Sequence, residues 1–228
     1  MFRVISENRF FFYPFGLFLM ASGLLLLKID TGDLILWCSD HRTILGNVFF
    51  RFGTRMGEEV IYLVLFIGAL FIRFRYSILL LLTGFSVSLL SYLTKTFFQH
   101  PRPSLFFKKL DILDHINLVE GVELYSGGTS FPSGHTMSAF ALYGLLAFLV
   151  RDKRWAGLFF FAMALMVGFS RIYLVQHFLK DIYVGSVFGV AIALTLYLMD
   201  QRFFQQETHW LNQSIPSLLR RKRSVAES

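Results

Sequence analysis

Six apolar runs, at residues 10–27, 59–72, 76–98, 133–150, 155–169 and 182–199, set the organisation of the chain. Several of them approach or exceed the roughly 18 to 20 residues that a helix needs to cross the hydrocarbon core of a bilayer. Backbone N–H and C=O groups in lipid must be satisfied within the structure itself, so runs of this length are expected to be helices rather than strands. The pattern predicts an all-α polytopic membrane protein with six transmembrane helices. The first run, FFFYPFGLFLMASGLLLL, has small residues at 21–23 but is too long for the apolar part of a signal peptide and lacks a convincing cleavage site. It is read as a retained first span.

Composition strengthens this picture. Of 228 residues, 55% are hydrophobic and 16% charged, with 28 Phe, and the mean hydropathy is +0.56, values that argue against a water-soluble domain. A net charge of +7 could suggest nucleic acid, but no soluble basic domain exists to carry it, and no nucleic-acid partner is expected. The charges instead report orientation. With the N-terminus placed in the cytoplasm, the inner segments hold twelve basic residues, among them Arg3, Arg9, Arg73, Arg75, Arg151, Lys153, Arg154, Arg202 and the run Arg220, Arg221, Lys222 and Arg223, against five acidic ones; the outer segments hold ten of each sign. An excess of Lys and Arg marks the cytoplasmic side, so both termini are expected there. The terminal RRKR is either topogenic or in contact with anionic lipid. The single cysteine, Cys38, allows no intrachain disulfide.

The outer side then receives residues 29–57, 99–132 and the short link 170–181. Residues 29–57 mix Leu34, Ile35, Trp37, Phe49 and Phe50 with charges, which fits equally an interfacial helix lying on the membrane and a plain connecting loop. His100, His115, Lys108 and Lys109 fall in the second segment and are read as loop residues, the two lysines also being placed to meet an anionic headgroup.

Three polar clusters interrupt the apolar pattern, and this topology brings them to one side: KTFFQHPRP, PSGH at the start of the fourth run, and SRIYLVQHFLKD. Taken singly, each has an ordinary explanation: a snorkelling lysine, a capped helix start, or a surface pair at i and i+4. Together they gather Lys95, Arg102, Arg171, His135, His177 and Asp181 at helix ends, where unpaired ionisable groups are costly and usually functional. Arg offers a planar fork matched to phosphate oxygens and Lys a compact positive charge. A helix start at Ser133 and Gly134 presents backbone N–H groups to an anion, and Gly lets it approach closely. Asp181, one turn after His177, can hold one ring nitrogen protonated and leave the other free to attack. His135 can protonate a leaving oxygen.

These residues resemble the three signature motifs of the type 2 phosphatidic acid phosphatase family. Lys95, Arg102 and Pro103 match KxxxxxxRP, residues 132–135 match PSGH, and Ser170, Arg171, His177 and Asp181 match SRxxxxxHxxxD, with no departure. The resemblance implies a single integral membrane phosphatase domain over 1–228, with a motif-bearing core over 76–200 and a basic cytoplasmic tail over 201–228. It implies His177 as nucleophile, Asp181 as its orienting partner and His135 as general acid. Lys95, Arg102 and Arg171 would bind phosphate together with the backbone around Ser133 and Gly134. No metal or other cofactor is implied. The expected reaction is hydrolysis of a lipid-linked phosphate or pyrophosphate at the outer leaflet of a bacterial inner membrane. Lipid A phosphate or undecaprenyl pyrophosphate is ranked ahead of phosphatidylglycerol phosphate and phosphatidic acid. A non-catalytic lipid-phosphate transporter or binding protein is the alternative of another class.

Overall fold

A computed structural model describes residues 2–150, 152–204 and 210–226. Arg151, counted above among the inner basic residues, and positions 205–209 and 227–228 of the basic tail lie outside the described residues.

Every apolar run is helical. In chain order the helices are α1 (Phe2–Glu7), α2 (Arg9–Leu26), α3 (Asp33–Asp40), α4 (Ile44–Gly53), α5 (Glu59–Leu70), α6 (Phe74–Phe98), α7 (Pro103–Lys109), α8 (Gly134–Leu149), α9 (Lys153–Tyr173), α10 (Leu179–Phe203) and α11 (Ile215–Ala226). No strand occurs among the described residues. Four of the six runs, those forming α2, α6, α9 and α10, lie in helices long and apolar enough to cross a membrane. α5 and α8 have 12 and 16 residues. At about 1.5 Å per residue, neither matches a hydrocarbon core roughly 30 Å thick. Six helices therefore form, but length and composition mark four candidate spans rather than six.

The case of α8 explains part of the difference. Its residues from Thr136 to Phe148 are buried almost without exception, so protein rather than lipid covers them. α8 is the axis around which α6, α9, α10 and α2 pack. α2 contributes Phe11 and Phe15, whose rings meet Phe148, Phe161 and Phe140 at centroid distances of 5.6, 6.1 and 5.6 Å. α10 meets α8 most closely through Gly185 and Gly189, a small-xxx-small pair of the type that lets membrane helices approach. A Cβ at Gly189 would come within 2.5 Å of the Met137 carbonyl oxygen, and one at Gly185 within 2.8 Å of that of Ser133. This contact fixes the height of the first turn of α10 against that of α8.

A second apolar cluster caps one end of the bundle. Ile35 and Cys38 of α3, Phe107 of α7, and Ile116 and Val119 pack on Ile172, Tyr173, Leu174, Val175 and Phe178, where α9 turns into α10. Residues 29–57 thus form the helices α3 and α4 rather than a plain loop. Lys108 and Lys109 are exposed. His115 ends a short 3-10 turn, and His100 Nε2 lies 3.1 Å from Lys180 Nζ.

Candidate active site

The capped end of the bundle holds all eight residues singled out above. Lys95 sits in the last turn of α6, Arg102 immediately precedes α7, Ser133 is the N-cap of α8, and Gly134 and His135 open that helix. Arg171 is in the last turn of α9, His177 in the link, and Asp181 in the first turn of α10. After Tyr173 the chain reverses through Val175, whose φ of 59° lies in the left-handed region. The Gln176 and His177 N–H groups both donate to the Arg171 carbonyl oxygen, at 2.8 and 3.1 Å. This tight reversal places His177 beside Arg171 and one turn before Asp181.

His177 is buried and its Nδ1 stands 3.2 Å from Asp181 Oδ2. The same oxygen accepts from Ser130 Oγ at 2.5 Å and from the Phe178 N–H at 3.0 Å. A carboxylate held by these donors keeps the Nδ1 proton on the ring side and leaves Nε2 with a free lone pair. Burial pushes the His177 imidazole down to about 4, against the opposing pull of Asp181, so the ring is neutral near pH 7.

Ser133 does two things that its motif does not announce. Its Oγ accepts from Thr136 N–H at 3.3 Å and from Thr136 Oγ1 at 2.9 Å, capping the helix. Its own N–H donates to the Asp181 carbonyl oxygen at 3.1 Å, tying α8 to α10. Of the helix-start N–H groups expected to face an anion, that of Ser133 is therefore occupied, because the close packing of α10 supplies it with an acceptor. The next two, of Gly134 and His135, have no hydrogen bond among the described residues. A Cβ at Gly134 would sit 3.1 Å from Ser91 Oγ and 3.4 Å from Lys95 Nζ, so the lysine head group lies directly over this helix start.

The cations around this point lack counterions. Among the described residues, none of Lys95, Arg102 and Arg171 forms an ion pair. Arg102 Nη1 donates only to the Gln176 carbonyl oxygen, at 3.4 Å, with the Tyr125 ring 5.2 Å from its guanidinium carbon. Arg171 Nη1 donates to Thr54 Oγ1 at 2.8 Å. The Nε atoms of both arginines are buried without a partner. Lys95 is within electrostatic range of Arg102, Arg171 and Asp181, and His135 within range of Arg171, His177, Lys95 and Arg102. Positive charge thus converges on a neutral histidine, and the nearby carboxylate is already engaged.

Ser130, Thr54 and Gln176 were not singled out in the sequence. They reach the cluster across 51, 117 and 74 positions, and each is a polar residue of a common type with no spacing to mark it.

The PAP2 superfamily profile matches residues 74–205, more than half of the chain. The chain belongs to the PAP2 superfamily. Within it, the chain is 31% identical over 124 residues to the Lipid A 4'-phosphatase of Porphyromonas gingivalis, a match covering 54% of this chain and 48% of that protein. It is 30% identical over 87 residues to the Phosphatidylglycerophosphatase B of Bacillus subtilis, covering 35% of this chain and 43% of that one. The chain spans a little under half the length of the two curated relatives. Among solved PAP2 and related structures, the crystal structure of Aquifex aeolicus LpxE aligns with a TM-score of 0.62 at 26% identity, over 74% of this chain and 96% of that one. The crystal structure of the Bacillus subtilis PAP2 type phosphatidylglycerolphosphate phosphatase aligns with a TM-score of 0.63 at 21% identity, over 90% and 99%, and supports the fold alone.

Proposed function

We propose that this PAP2 protein is a membrane phosphatase that hydrolyses a lipid-linked phosphate through a phosphohistidine. One observation carries the reading: three cations without counterions, two of them buried arginines, surround a buried histidine whose Nδ1 is held by a carboxylate. His177 Nε2 attacks phosphorus in line, the P–N bond forms, and the P–O bond to the lipid breaks. His135, which takes up a proton once the bound phosphate anion offsets the surrounding cations, gives it to the departing oxygen. Water then attacks the phosphohistidine while His135 takes a proton back, releasing inorganic phosphate and neutral His177. Lys95, Arg102 and Arg171, with the N–H groups of Gly134 and His135, stabilise charge on the equatorial oxygens. Asp181 and Ser130 hold the attacking ring.

Metal-independent hydrolysis is part of the proposal, since the three cations would repel a divalent ion and no set of three His, Cys, Asp or Glu side chains gathers as ligands among the described residues. The P. gingivalis relative favours a lipid A phosphate as substrate, and the B. subtilis phosphatase favours phosphatidylglycerol phosphate as the second reading. The charge balance of the loops supports a site at the outer leaflet of a bacterial inner membrane with both termini in the cytoplasm. The test is phosphate release by purified protein from lipid A, undecaprenyl pyrophosphate, phosphatidylglycerol phosphate and phosphatidic acid, with and without EDTA. Release is expected to persist in EDTA and to vanish in His177→Ala; near-wild-type release by that variant would overturn the nucleophile assignment, and release by none of the wild-type reactions would favour a non-catalytic lipid-phosphate binding protein.

A further inference from the structure

α4 has 10 residues, too few to cross a bilayer, yet Ile44, Leu45, Val48, Phe49 and Phe52 on it are each at least half exposed. Their spacing places them along one stripe of the helix. The other face is fixed to the bundle. Phe50 meets the rings of Tyr173 and Phe169 of α9 at 4.5 and 5.4 Å, and Asn47 Oδ1 accepts from the Tyr173 hydroxyl at 2.8 Å. Two exposed cations flank the stripe: Arg55 lies 5.3 Å from the Phe52 ring, and Arg51 Nη1 donates to the Glu120 carbonyl oxygen at 3.3 Å. An apolar stripe edged by arginines is the pattern of a helix lying in an anionic interface. The same molecule exposes Leu17 and Leu24 on α2, Phe85 and Leu89 on α6 and Phe159 on α9, all on candidate spans, and α4 packs on the last of these helices through Phe50.

α4 runs without a break into Thr54, whose Oγ1 accepts from Arg171 Nη1. Two and three residues further on the chain is anchored to α8, the Met56 carbonyl accepting from the Tyr143 hydroxyl at 2.8 Å and the Gly57 carbonyl from Ser138 Oγ at 2.9 Å. We propose that α4 is seated in the membrane surface and that this seat, through Thr54, holds Arg171 in position. The occupant of the stripe is lipid with anionic headgroups, and Thr54 is a positioning residue. The second part rests on the phosphate-binding role given to Arg171 above.

Two experiments on the full chain in nanodiscs separate the parts. Tryptophan fluorescence of Phe49→Trp, corrected for the native protein, is expected to be quenched by lipids brominated near the headgroup end of the acyl chain and shielded from aqueous acrylamide. Quenching by acrylamide alone would mean a water-exposed helix, and quenching by neither would mean a protein cover such as a second copy; either result overturns the seat. This readout needs no turnover, so it stands or falls apart from the phosphatase reading. Inorganic phosphate binding, followed by thermal shift, is expected to weaken about tenfold in Thr54→Val, since a hydrogen bond to a charged group is lost, and to recover in Thr54→Ser. Wild-type affinity in Thr54→Val would break the link to Arg171. Absence of phosphate binding in the wild type would overturn that link together with the phosphatase reading while leaving the seat intact.

Discussion

The same two helices carry buried charge at both ends of the bundle and treat it in opposite ways. At one end Arg75, near the start of α6, meets Asp200, near the end of α10, with Nε 3.2 Å from Oδ1, and Arg75 Nη1 also donates to the Phe204 carbonyl oxygen at 3.1 Å. At the other end α6 offers Lys95 and α10 offers Asp181, but the carboxylate turns to His177 and Ser130 and the lysine is left without an ion pair. Arg102 and Arg171 join it there. The first arrangement pairs its charges, although Arg75 Nε and both Asp200 oxygens make no hydrogen bond. A cluster like the second is electrostatically unfavourable until an anion enters, and a fold keeps such a cost where binding or chemistry offsets it.

The largest effect expected from this contrast is at the uncompensated end. Arg171→Ala should lower kcat/KM for phosphate release by about 10²–10³-fold, the range seen when one donor to a developing oxyanion is removed. Arg171→Lys should recover only part of it, because a point charge cannot replace the guanidinium fork. Protein folding should be unharmed or improved, since a like charge leaves the cluster. Activity retained in Arg171→Ala would show that the unpaired cations are not there for the substrate.

At the compensated end the consequence should fall on stability instead. Asp200→Asn leaves Arg75 charged, buried and without its partner, a change that typically costs about 3–5 kcal/mol. Replacing both residues by apolar ones, Arg75→Met with Asp200→Leu, should restore most of that loss. Thermal unfolding in detergent measures both, and phosphate affinity should stay at the wild-type value throughout. A loss of phosphate affinity without a loss of stability would erase the distinction between the two ends.

Much of this contrast could be read from the sequence, and the residues show where the reading stopped. The motif side chains Lys95, Arg102, His135, Arg171, His177 and Asp181 are placed together because the order of the apolar runs brings their three clusters to one side and the clusters match family motifs; only His177 and Asp181 are paired by helical spacing. Apolar runs likewise located the helices. They did not tell four candidate spans from six, because apolar composition is the same whether lipid covers a helix, as on α6, or protein does, as on α8. Ser130 and Thr54 stayed hidden because a serine or threonine becomes part of a site only through a contact made across the fold. The occupied N–H of Ser133 follows from the close approach of α10 at Gly185 and Gly189, which no single motif encodes.

The smallest expected effect is a pH dependence that belongs to the site end. The unfolded chain takes up a proton at the ordinary histidine value of 6.5, whereas folded His177 stays neutral down to about 4. Proton uptake by the unfolded state alone favours unfolding, so the stability associated with this group is whole above about pH 6.5 and is lost as pH falls from there towards 4. His177→Gln removes the titrating ring while keeping a polar side chain opposite Asp181. The drop in melting temperature between pH 7 and pH 5 should therefore be smaller in His177→Gln than in the wild type, measured in the same detergent. Equal drops would mean that the ring is already protonated in the folded protein. That would leave the Asp181–His177 pair a closed ion pair, like Arg75–Asp200 at the far end, with no neutral nitrogen ready to attack phosphorus.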